Sequence, residues 1–212
     1  MDLHLSLTLL SGICWTLVYI DGIRIGLRDH SYAIPFWALA LNLAWEIQYA
    51  VLGYQSYGLR AQTGINLLWF LLDLGILYTF IRYGKKYFPT TLQPGKFYAW
   101  IFLGIVSAIV IQWLFYHEFG LIPGAKYSAF LQNLLMSILF VSMLVQRGSA
   151  EGQSQFIAIN KWIGTLAATL HLGLLDEGPG TFILVTGVLI MIFDVLYIVL
   201  LQRVSSARSE KS

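Results

Sequence analysis

Seven long apolar stretches constrain the fold of this chain more than any other feature of its sequence. They cover residues 5–20, 33–54, 63–81, 97–116, 127–146, 156–175 and 180–201. Most are long enough for a helix to cross about 30 Å of hydrocarbon, which takes about 20 residues. Only 11% of the residues are charged, whereas soluble domains carry about a quarter. The sequence therefore predicts an all-α bundle of seven transmembrane helices, of which the first, interrupted by Ser6, Thr8 and Ser11, is the weakest.

The connections between the stretches are too short to fold as separate domains. We therefore expect one membrane domain over residues 1–204, followed by a disordered polar tail over 205–212. No Lys or Arg precedes the first stretch, and no small-residue cleavage site follows it, so no removable signal peptide is predicted. Cys14 is the only cysteine, which excludes an internal disulfide and a cysteine-based metal site.

The basic residues predict the orientation of the bundle. With seven spans, 11 of them fall on the side that holds the C-terminus, and only Arg60 and Lys126 fall on the opposite side. Because basic residues favour the cytoplasmic side, we expect the C-terminus in the cytoplasm and the N-terminus outside. The net charge of +2 is then a signal of topology, and no nucleic-acid partner is expected. The 11 residues are Arg24, Arg28, Arg82, Lys85, Lys86, Lys96, Arg147, Lys161, Arg203, Arg208 and Lys211.

Three acidic residues, Glu46, Asp73 and Asp194, lie well inside apolar stretches. An ionisable group near the centre of a bilayer is costly, so such groups normally face the protein interior and serve a function. Burial disfavours the charged carboxylate, and we expect these acids to keep their protons near neutral pH. A buried neutral carboxylic acid can donate a proton.

Further polar residues share helical faces with these acids. Asn42 and Tyr49 are spaced by four and three residues from Glu46, which puts all three on one face. Together the polar residues predict a cavity that holds two or three acids. The alternative is that the amides only tie helices together by hydrogen bonds. The other members of this set are Asn66 and Trp69 beside Asp73, Tyr197 beside Asp194, and the amides Gln112, Gln132 and Asn133.

Aromatic residues make up 15% of the chain, and Trp45, Trp69 and Trp113 lie deep within their stretches. A ring face attracts positive charge, and the attraction is stronger where water is excluded. A cavity with such walls could hold a carbocation without offering it a nucleophile. For any single ring, plain packing is the alternative.

The motifs that the sequence lacks narrow its chemistry. It has no aspartate-rich magnesium motif, no glycine-rich phosphate loop and no Gly-X-Ser-X-Gly elbow. Ionisation of a diphosphate is therefore not expected, nor is any metal or other cofactor. His117, Glu118, His171, Asp176 and Glu177 fall on one predicted side, but their spacing matches no metal motif, and a solvated rim is the better interpretation.

The Asn-Leu-Ala-Trp-Glu segment that ends at Glu46, together with Asp73 after Trp69 and Asp194 in the last stretch, resembles a known family. This is the family of small seven-span membrane terpene cyclases from fungal meroterpenoid and indole-diterpene pathways, which has bacterial relatives. Span count, size and short loops extend the likeness over nearly the full length. In that family an acid in the second span and an acid in the last span carry catalysis, and these match Glu46 and Asp194.

The resemblance implies a metal-independent terpene cyclase of secondary metabolism that works as a lyase or isomerase on a lipophilic prenylated substrate. One acid would protonate an epoxide or an alkene, the epoxide being the easier, and rings would close through carbocations. Asn42, Trp45, Tyr49, Asn66, Trp69, Asp73, Trp113, Gln132, Asn133 and Tyr197 would bind substrate or support the acids. The host membrane would be that of a bacterial cell or of the endoplasmic reticulum.

Two other functions are open at this point. In a small proton- or cation-coupled transporter, Glu46, Asp73 and Asp194 would form a relay. However, Asn-Leu-X-Trp recurs only in adjacent helices, at 42–45 and 66–69, and the prolines fall at span ends, so the repeats typical of carriers are missing. A noncatalytic receptor or scaffold would not need buried acids.

Overall fold

Helices account for almost all of the structure, a computed structural model that describes residues 3–89, 91, 94–176 and 180–209. Seven α-helices follow one another in these residues, which confirms the all-α prediction. A 3₁₀ helix (Gly84–Tyr87) follows the third, and a π-helical turn (His171–Leu175) follows the sixth. The α-helices are α1 (Leu3–Arg28), α2 (Phe36–Tyr57), α3 (Ala61–Tyr83), α4 (Pro94–Phe119), α5 (Leu121–Arg147), α6 (Gln155–Leu170) and α7 (Gly180–Ser209).

Five of the described helices are long and apolar enough to cross a membrane, namely α1, α3, α4, α5 and α7. The first span was predicted to be the weakest, but α1 is long and apolar enough to cross a membrane. Helices α2 and α6 do not meet both of these conditions. The α6 helix has only 16 residues, and α2 carries the polar residues Asn42, Glu46 and Gln48. The chain is a multi-pass membrane protein, and the two remaining helices, α2 and α6, contribute many buried residues.

The first helix extends eight residues past its predicted end, because it continues through Asp21 to Arg28. A charged residue after an apolar stretch commonly marks the end of a span. Here the Asp21 side chain is buried and bonded: Arg24 Nε donates to Oδ1 at 2.6 Å and Ser154 Oγ donates to Oδ2 at 3.1 Å. The helix can therefore go on past this acid.

Helices α4 and α5 are joined by Gly120 alone, where the sequence predicted a connection of ten residues. The φ of Gly120 is +77°, in the left-handed region that favours glycine, so this residue can reverse the chain in one step. Pro123 then lies in the first turn of α5, where the missing N–H is not needed.

Six helices form a closed ring. The α1 helix packs on α3 and α6, α2 packs on α3 and α5, and α7 packs on both α5 and α6 and so joins these two helices. The α4 helix lies outside the ring, against α2 and α5. Residues on α4 therefore reach the interior only past another helix.

The last helix extends past its predicted end. A disordered tail was predicted from Ser205 onwards, but α7 continues to Ser209. Just before this segment, Leu201 and Val204 pack in the hydrophobic core. Residues 210–212 lie outside the described part of the chain.

Candidate active site

A cavity of about 880 Å³ opens at the end of the bundle where α1, α3 and α5 begin and α2 and α6 end. Its volume lies within the range of about 300–1,000 Å³ that is typical of small-molecule sites. The wall is largely apolar, and α1, α2 and α3 contribute large aromatic side chains to it. These include Trp15, Tyr19, Trp45, Tyr49 and Trp69.

Glu46 lies near the middle of α2, lines the cavity and is 1% exposed. Tyr19 Oη donates a hydrogen bond to Glu46 Oε1 at 2.8 Å, and Asn42 Nδ2 donates to Tyr19 Oη at 3.0 Å. The other carboxyl oxygen, Oε2, is buried and makes no hydrogen bond to any described residue. One carboxyl oxygen of Glu46 is thus held by a hydrogen bond, whereas the other has no hydrogen-bond partner among the described residues.

The hydrogen bonds around Glu46 continue through two more helices. Gln132 Nε2 on α5 donates to Asn42 Oδ1 at 3.1 Å, and Gln112 Nε2 on α4 donates to Gln132 Oε1 at 2.7 Å. All four side chains that lead to Glu46 are at most 9% exposed. The amide side chains thus link α4, α5 and α2, and the chain of hydrogen bonds that they form leads through Tyr19 to Glu46.

Asp73 is a second acid close to Glu46. It is 0% exposed on α3, lies near enough for an electrostatic interaction with Glu46, and has the Asn42 amide beside it. Neither carboxyl oxygen is hydrogen-bonded within the described residues, and Asp73 is not part of the cavity wall. Without a cation or a donor, a carboxyl group buried in this way is expected to be neutral.

Asp194, which the sequence predicted in one chamber with Glu46, is not among the residues that line the cavity. Lys161 Nζ donates to both of its oxygens, at 2.7 and 2.9 Å, and to Ser137 Oγ at 2.7 Å. The Lys161 and Asp194 side chains are 1% and 3% exposed. None of the described α7 residues lines the cavity, and the Asp194 carboxyl group is held by Lys161 on α6.

Seven of the ten residues predicted to bind substrate or support the acids do line the cavity. Asn133 donates from Nδ2 to Thr165 Oγ1 at 2.9 Å, and Trp69 donates from Nε1 to Thr16 Oγ1 at 3.0 Å, so both are held in place within the wall. The seven are Asn42, Trp45, Tyr49, Asn66, Trp69, Gln132 and Asn133.

Two other predicted residues lie elsewhere. Trp113 on the outer helix α4 is 51% exposed and packs on His117, so its ring points away from the cavity. Tyr197 on α7 is buried outside the cavity, where it packs on Phe140 and donates to Gln153 Oε1 at 3.1 Å. Both were misplaced because a helical face can be read from spacing, whereas the rotation of the helix in the bundle cannot.

The acidic and histidine residues of the predicted rim do not come together. Asp176 forms an ion pair with Lys126 at 2.6 Å, His171 lies beside Thr8, and His117 packs on Trp113. The described residues contain no group of three side chains suited to hold a metal ion. Glu177 lies outside the described residues.

Sequence reasoning missed two residues that matter for the site. Tyr19 lies near the end of the first predicted span, and only the three-dimensional arrangement of the helices brings it to Glu46. Lys161 was counted only as a topological charge on the C-terminal side, although its side chain is buried inside α6. A lysine within an apolar stretch was a signal that an acid partner lies nearby.

Fold and site define a multi-pass membrane protein with a buried acid in an aromatic cavity. The sequence model of the Pyr4-like transmembrane terpene cyclases matches residues 2–175. The chain belongs to this family, as the resemblance implied. The matched stretch includes Glu46 and Asp73, whereas Asp194 lies beyond it.

Three named relatives are fungal terpene cyclases. The Pyr4-family terpene cyclase mfmH of Annulohypoxylon moriforme is 32% identical over 78% of this chain and 68% of its own length. Terpene cyclase ascF of Acremonium egyptiacum is 28% identical over 73% and 61%, and terpene cyclase pyr4 of Aspergillus fumigatus is 27% identical over 77% and 68%. The chain thus spans about two thirds of their lengths. No solved structure matches it. These relatives confirm the terpene cyclase class and do not favour the transporter.

Proposed function

We propose that this chain is a membrane-embedded terpene cyclase in which Glu46 starts the reaction by donating a proton to a prenylated substrate. The observation that supports this is the state of the Glu46 carboxyl group at the cavity wall. Its Oε1 accepts a hydrogen bond from Tyr19, while its buried Oε2 is without a partner among the described residues. A proton on Oε2 would be the one available for transfer.

The initiating step converts a neutral acid into a carboxylate. The Oε2–H bond breaks as the proton moves to an epoxide oxygen, the C–O bond opens, and its electron pair stays on the oxygen. A tertiary carbocation forms, and each neighbouring double bond then attacks to close a ring. A buried acid is a weak donor, so an epoxide suits it better than an unactivated alkene.

The hydrogen bond from Tyr19 compensates for part of this weakness. It is stronger to a carboxylate than to a neutral acid, because bonds to charged groups are shorter and about twice as strong. Asn42 donates to the Tyr19 oxygen and thereby directs the hydroxyl hydrogen at Glu46. The two residues therefore favour the state in which Glu46 has lost its proton.

The aromatic wall would stabilise the cations that follow. Trp15, Trp45 and Trp69 all border the cavity, and a desolvated ring face contributes about 2 kcal/mol to holding a cation. An apolar wall also excludes the water that would otherwise capture intermediates as alcohols. In the last step the Glu46 carboxylate takes back a proton from the final cation, which regenerates the acid. The cycle then needs no second acid, and the catalytic role predicted for Asp194 stays a prediction that the experiments below address.

We also propose that all seven helices cross the bilayer with the N-terminus outside and the C-terminus in the cytoplasm. The count of basic residues that supports this falls from 11 to 10 when the buried Lys161 is removed, still against two. The cavity would then open towards the outer leaflet of a bacterial cell membrane or the lumenal leaflet of the endoplasmic reticulum. A lipophilic substrate would reach it from the bilayer.

The test uses membranes that contain the protein, incubated with prenylated aromatic compounds bearing a terminal epoxide. Cyclised products are expected from the wild type and from Glu118→Gln, since Glu118 ends α4 outside the cavity wall. They should be lost in Glu46→Gln, which keeps the shape but has no acidic proton. Cyclisation at the wild-type rate in Glu46→Gln would overturn the proposed mechanism. Proton-coupled uptake into vesicles without any cyclisation would favour the transporter instead.

A further inference from the structure

We propose that Gln112, a residue outside the cavity, is a positioning residue that sets how readily Glu46 gives up its proton; this inference rests on the proposed function. Gln112 lies on the outer helix α4, is 1% exposed and does not contribute to the cavity wall. It is the first donor in a chain of four hydrogen bonds that ends at Glu46 Oε1.

The four bonds point in one direction. Gln112 donates to Gln132 at 2.7 Å, Gln132 donates to Asn42 at 3.1 Å, Asn42 donates to Tyr19 at 3.0 Å, and Tyr19 donates to Glu46 at 2.8 Å. The Tyr19 hydroxyl has a single hydrogen. Since that hydrogen is donated to the Glu46 carboxyl group, Tyr19 must accept a hydrogen bond from Asn42. Asn42 and Gln132 likewise each accept from one neighbour through the amide oxygen and donate to the next through the amide nitrogen.

A chain with aligned donors acts on its last acceptor. Each bond polarises the next, by about 10–30% per bond in condensed-phase estimates, so the Tyr19 hydroxyl becomes a better donor than it would be alone. Its bond to Glu46 gains more when the acceptor becomes a negatively charged carboxylate than when it is a neutral acid. Gln112 therefore favours proton release at Glu46 although it never touches the substrate.

A purely structural tie is the competing account of Gln112, and Gln48 provides the matched control. Gln48 on α2 donates from Nε2 to the backbone oxygen of Gln112 at 2.8 Å, which ties α4 to the inner helices without joining the chain. If Gln112 matters only because it ties α4 to the inner helices, Gln48→Met and Gln112→Met should have similar effects. If the chain acts on Glu46, only Gln112→Met should change the hydrogen bond to the Glu46 carboxyl group.

The first readout is the infrared carbonyl stretch of the protonated Glu46 carboxyl group, identified as the band that Glu46→Gln lacks. A hydrogen bond to a carbonyl oxygen lowers its stretching frequency. We expect the band to move to higher frequency in Tyr19→Phe and, by a smaller amount, in Gln112→Met, and to stay in place in Gln48→Met. A band in Gln112→Met that coincides with the wild type would overturn the inference.

The second readout is cyclase kinetics. We expect Gln112→Met to lower kcat about 2- to 5-fold with an unchanged KM, because a weakened donor acts on proton transfer and not on substrate binding. In the double variant Tyr19→Phe/Gln112→Met the two losses should not multiply, since one chain is broken in both. A loss that appears in KM, or equally in Gln48→Met, would indicate a structural tie and overturn the inference.

The two readouts separate failure of this inference from failure of the proposed function. If the wild type has no cyclase activity, the proposed function fails, while the infrared band still reports whether Gln112 acts on Glu46. If the wild type is active and the Glu46 band has the same frequency in Gln112→Met as in the wild type, the inference alone fails. Absence of the Glu46 band at neutral pH would overturn both, because the acid would then hold no proton.

Discussion

The Lys161 ammonium group donates to both carboxyl oxygens of Asp194, at 2.7 and 2.9 Å, within the apolar part of the bundle. Neither side chain is more than 3% exposed, so the ion pair is shielded from bulk water. Removal of one partner from such a pair leaves an uncompensated buried charge, which costs about 3–5 kcal/mol in soluble proteins. Removal of both partners can be neutral.

The Lys161–Asp194 pair gives the first prediction. Asp194→Asn should lower the yield of folded protein in detergent and its thermal unfolding temperature, because the ammonium group is left alone. The double variant Lys161→Met/Asp194→Leu should recover both, since no charge remains buried. Fluorescence-detected size exclusion measures the yield, and a thermal ramp measures the unfolding temperature.

The same double variant decides the role of Asp194. If Asp194 only neutralises Lys161, the folded double variant should keep cyclase activity within about threefold of the wild type, a difference below 1 kcal/mol. If it folds and has no activity, Asp194 carries a catalytic function, as the family resemblance implied. A double variant that is no more stable than Asp194→Asn would contradict the charge argument itself.

A second prediction concerns the hydroxyl group of Tyr19. Tyr19→Phe should reduce kcat by about 10- to 100-fold, because hydrogen bonds to charged groups contribute about 1.5–3 kcal/mol. Tyr197→Phe is the matched control, since it removes a hydroxyl that is equally buried and bonded to Gln153, but outside the cavity. Similar activity losses in the two variants would mean that the effect comes from packing and not from the Glu46 carboxyl group.

Much of the architecture could be read from the sequence, because the bilayer leaves few options. Apolar stretches of about 20 residues without charge become helices, and all seven predicted helices are present. The spacing of four residues between Asn42 and Glu46 also fixed their common face. What failed was the helix boundary at Asp21, whose charge is compensated by Arg24 on the next turn and by Ser154 from a distant part of the chain.

The composition of the site was harder to predict, since it depends on how each helix is rotated and on which helices lie inside. Glu46, Asn42 and Trp69 were expected in the cavity wall and lie there. Asp194 and Trp113 were expected with them, but neither lines the cavity: Asp194 pairs with Lys161, and Trp113 lies on the outer helix α4. Tyr19 was missed because its partner, Glu46, lies 27 residues away on another helix.

A third prediction uses two tryptophans to separate cation stabilisation from general hydrophobicity. Trp69→Leu should lower the rate by about tenfold or more, because a ring face contributes about 2 kcal/mol to a desolvated cation. It should also raise the fraction of partly cyclised and hydroxylated products, which mass spectrometry quantifies.

Trp113→Leu is the control for this effect, since the Trp113 ring is 51% exposed on the outer helix. It should leave the product ratio unchanged. Equal product ratios for Trp69→Leu and the wild type would remove Trp69 from the proposed mechanism.

The last prediction concerns the acid stability of the opposite end of the bundle. The hydrogen bond from Arg28 holds the pKa of Asp29 below its ordinary value, with a further contribution from the Gly152 N–H. The hydrogen bond from Lys86 lowers the pKa of Glu151 in the same way. An acid whose folded-state pKa is lowered stabilises the fold above its unfolded-state pKa and loses this contribution as the pH falls through the folded value.

We therefore expect the contribution of these two acids to the unfolding temperature to be constant above about pH 5 and to decline as the pH falls below about 4, where ordinary carboxyl groups take up protons. Thermal unfolding in detergent from pH 3 to pH 7 measures this. The double variant Asp29→Asn/Glu151→Gln should be less stable than the wild type at pH 7, and the difference should vanish towards pH 3. A difference that is the same at both pH values would mean that these acids act through packing, because only an ionised carboxylate gains from the adjacent cations.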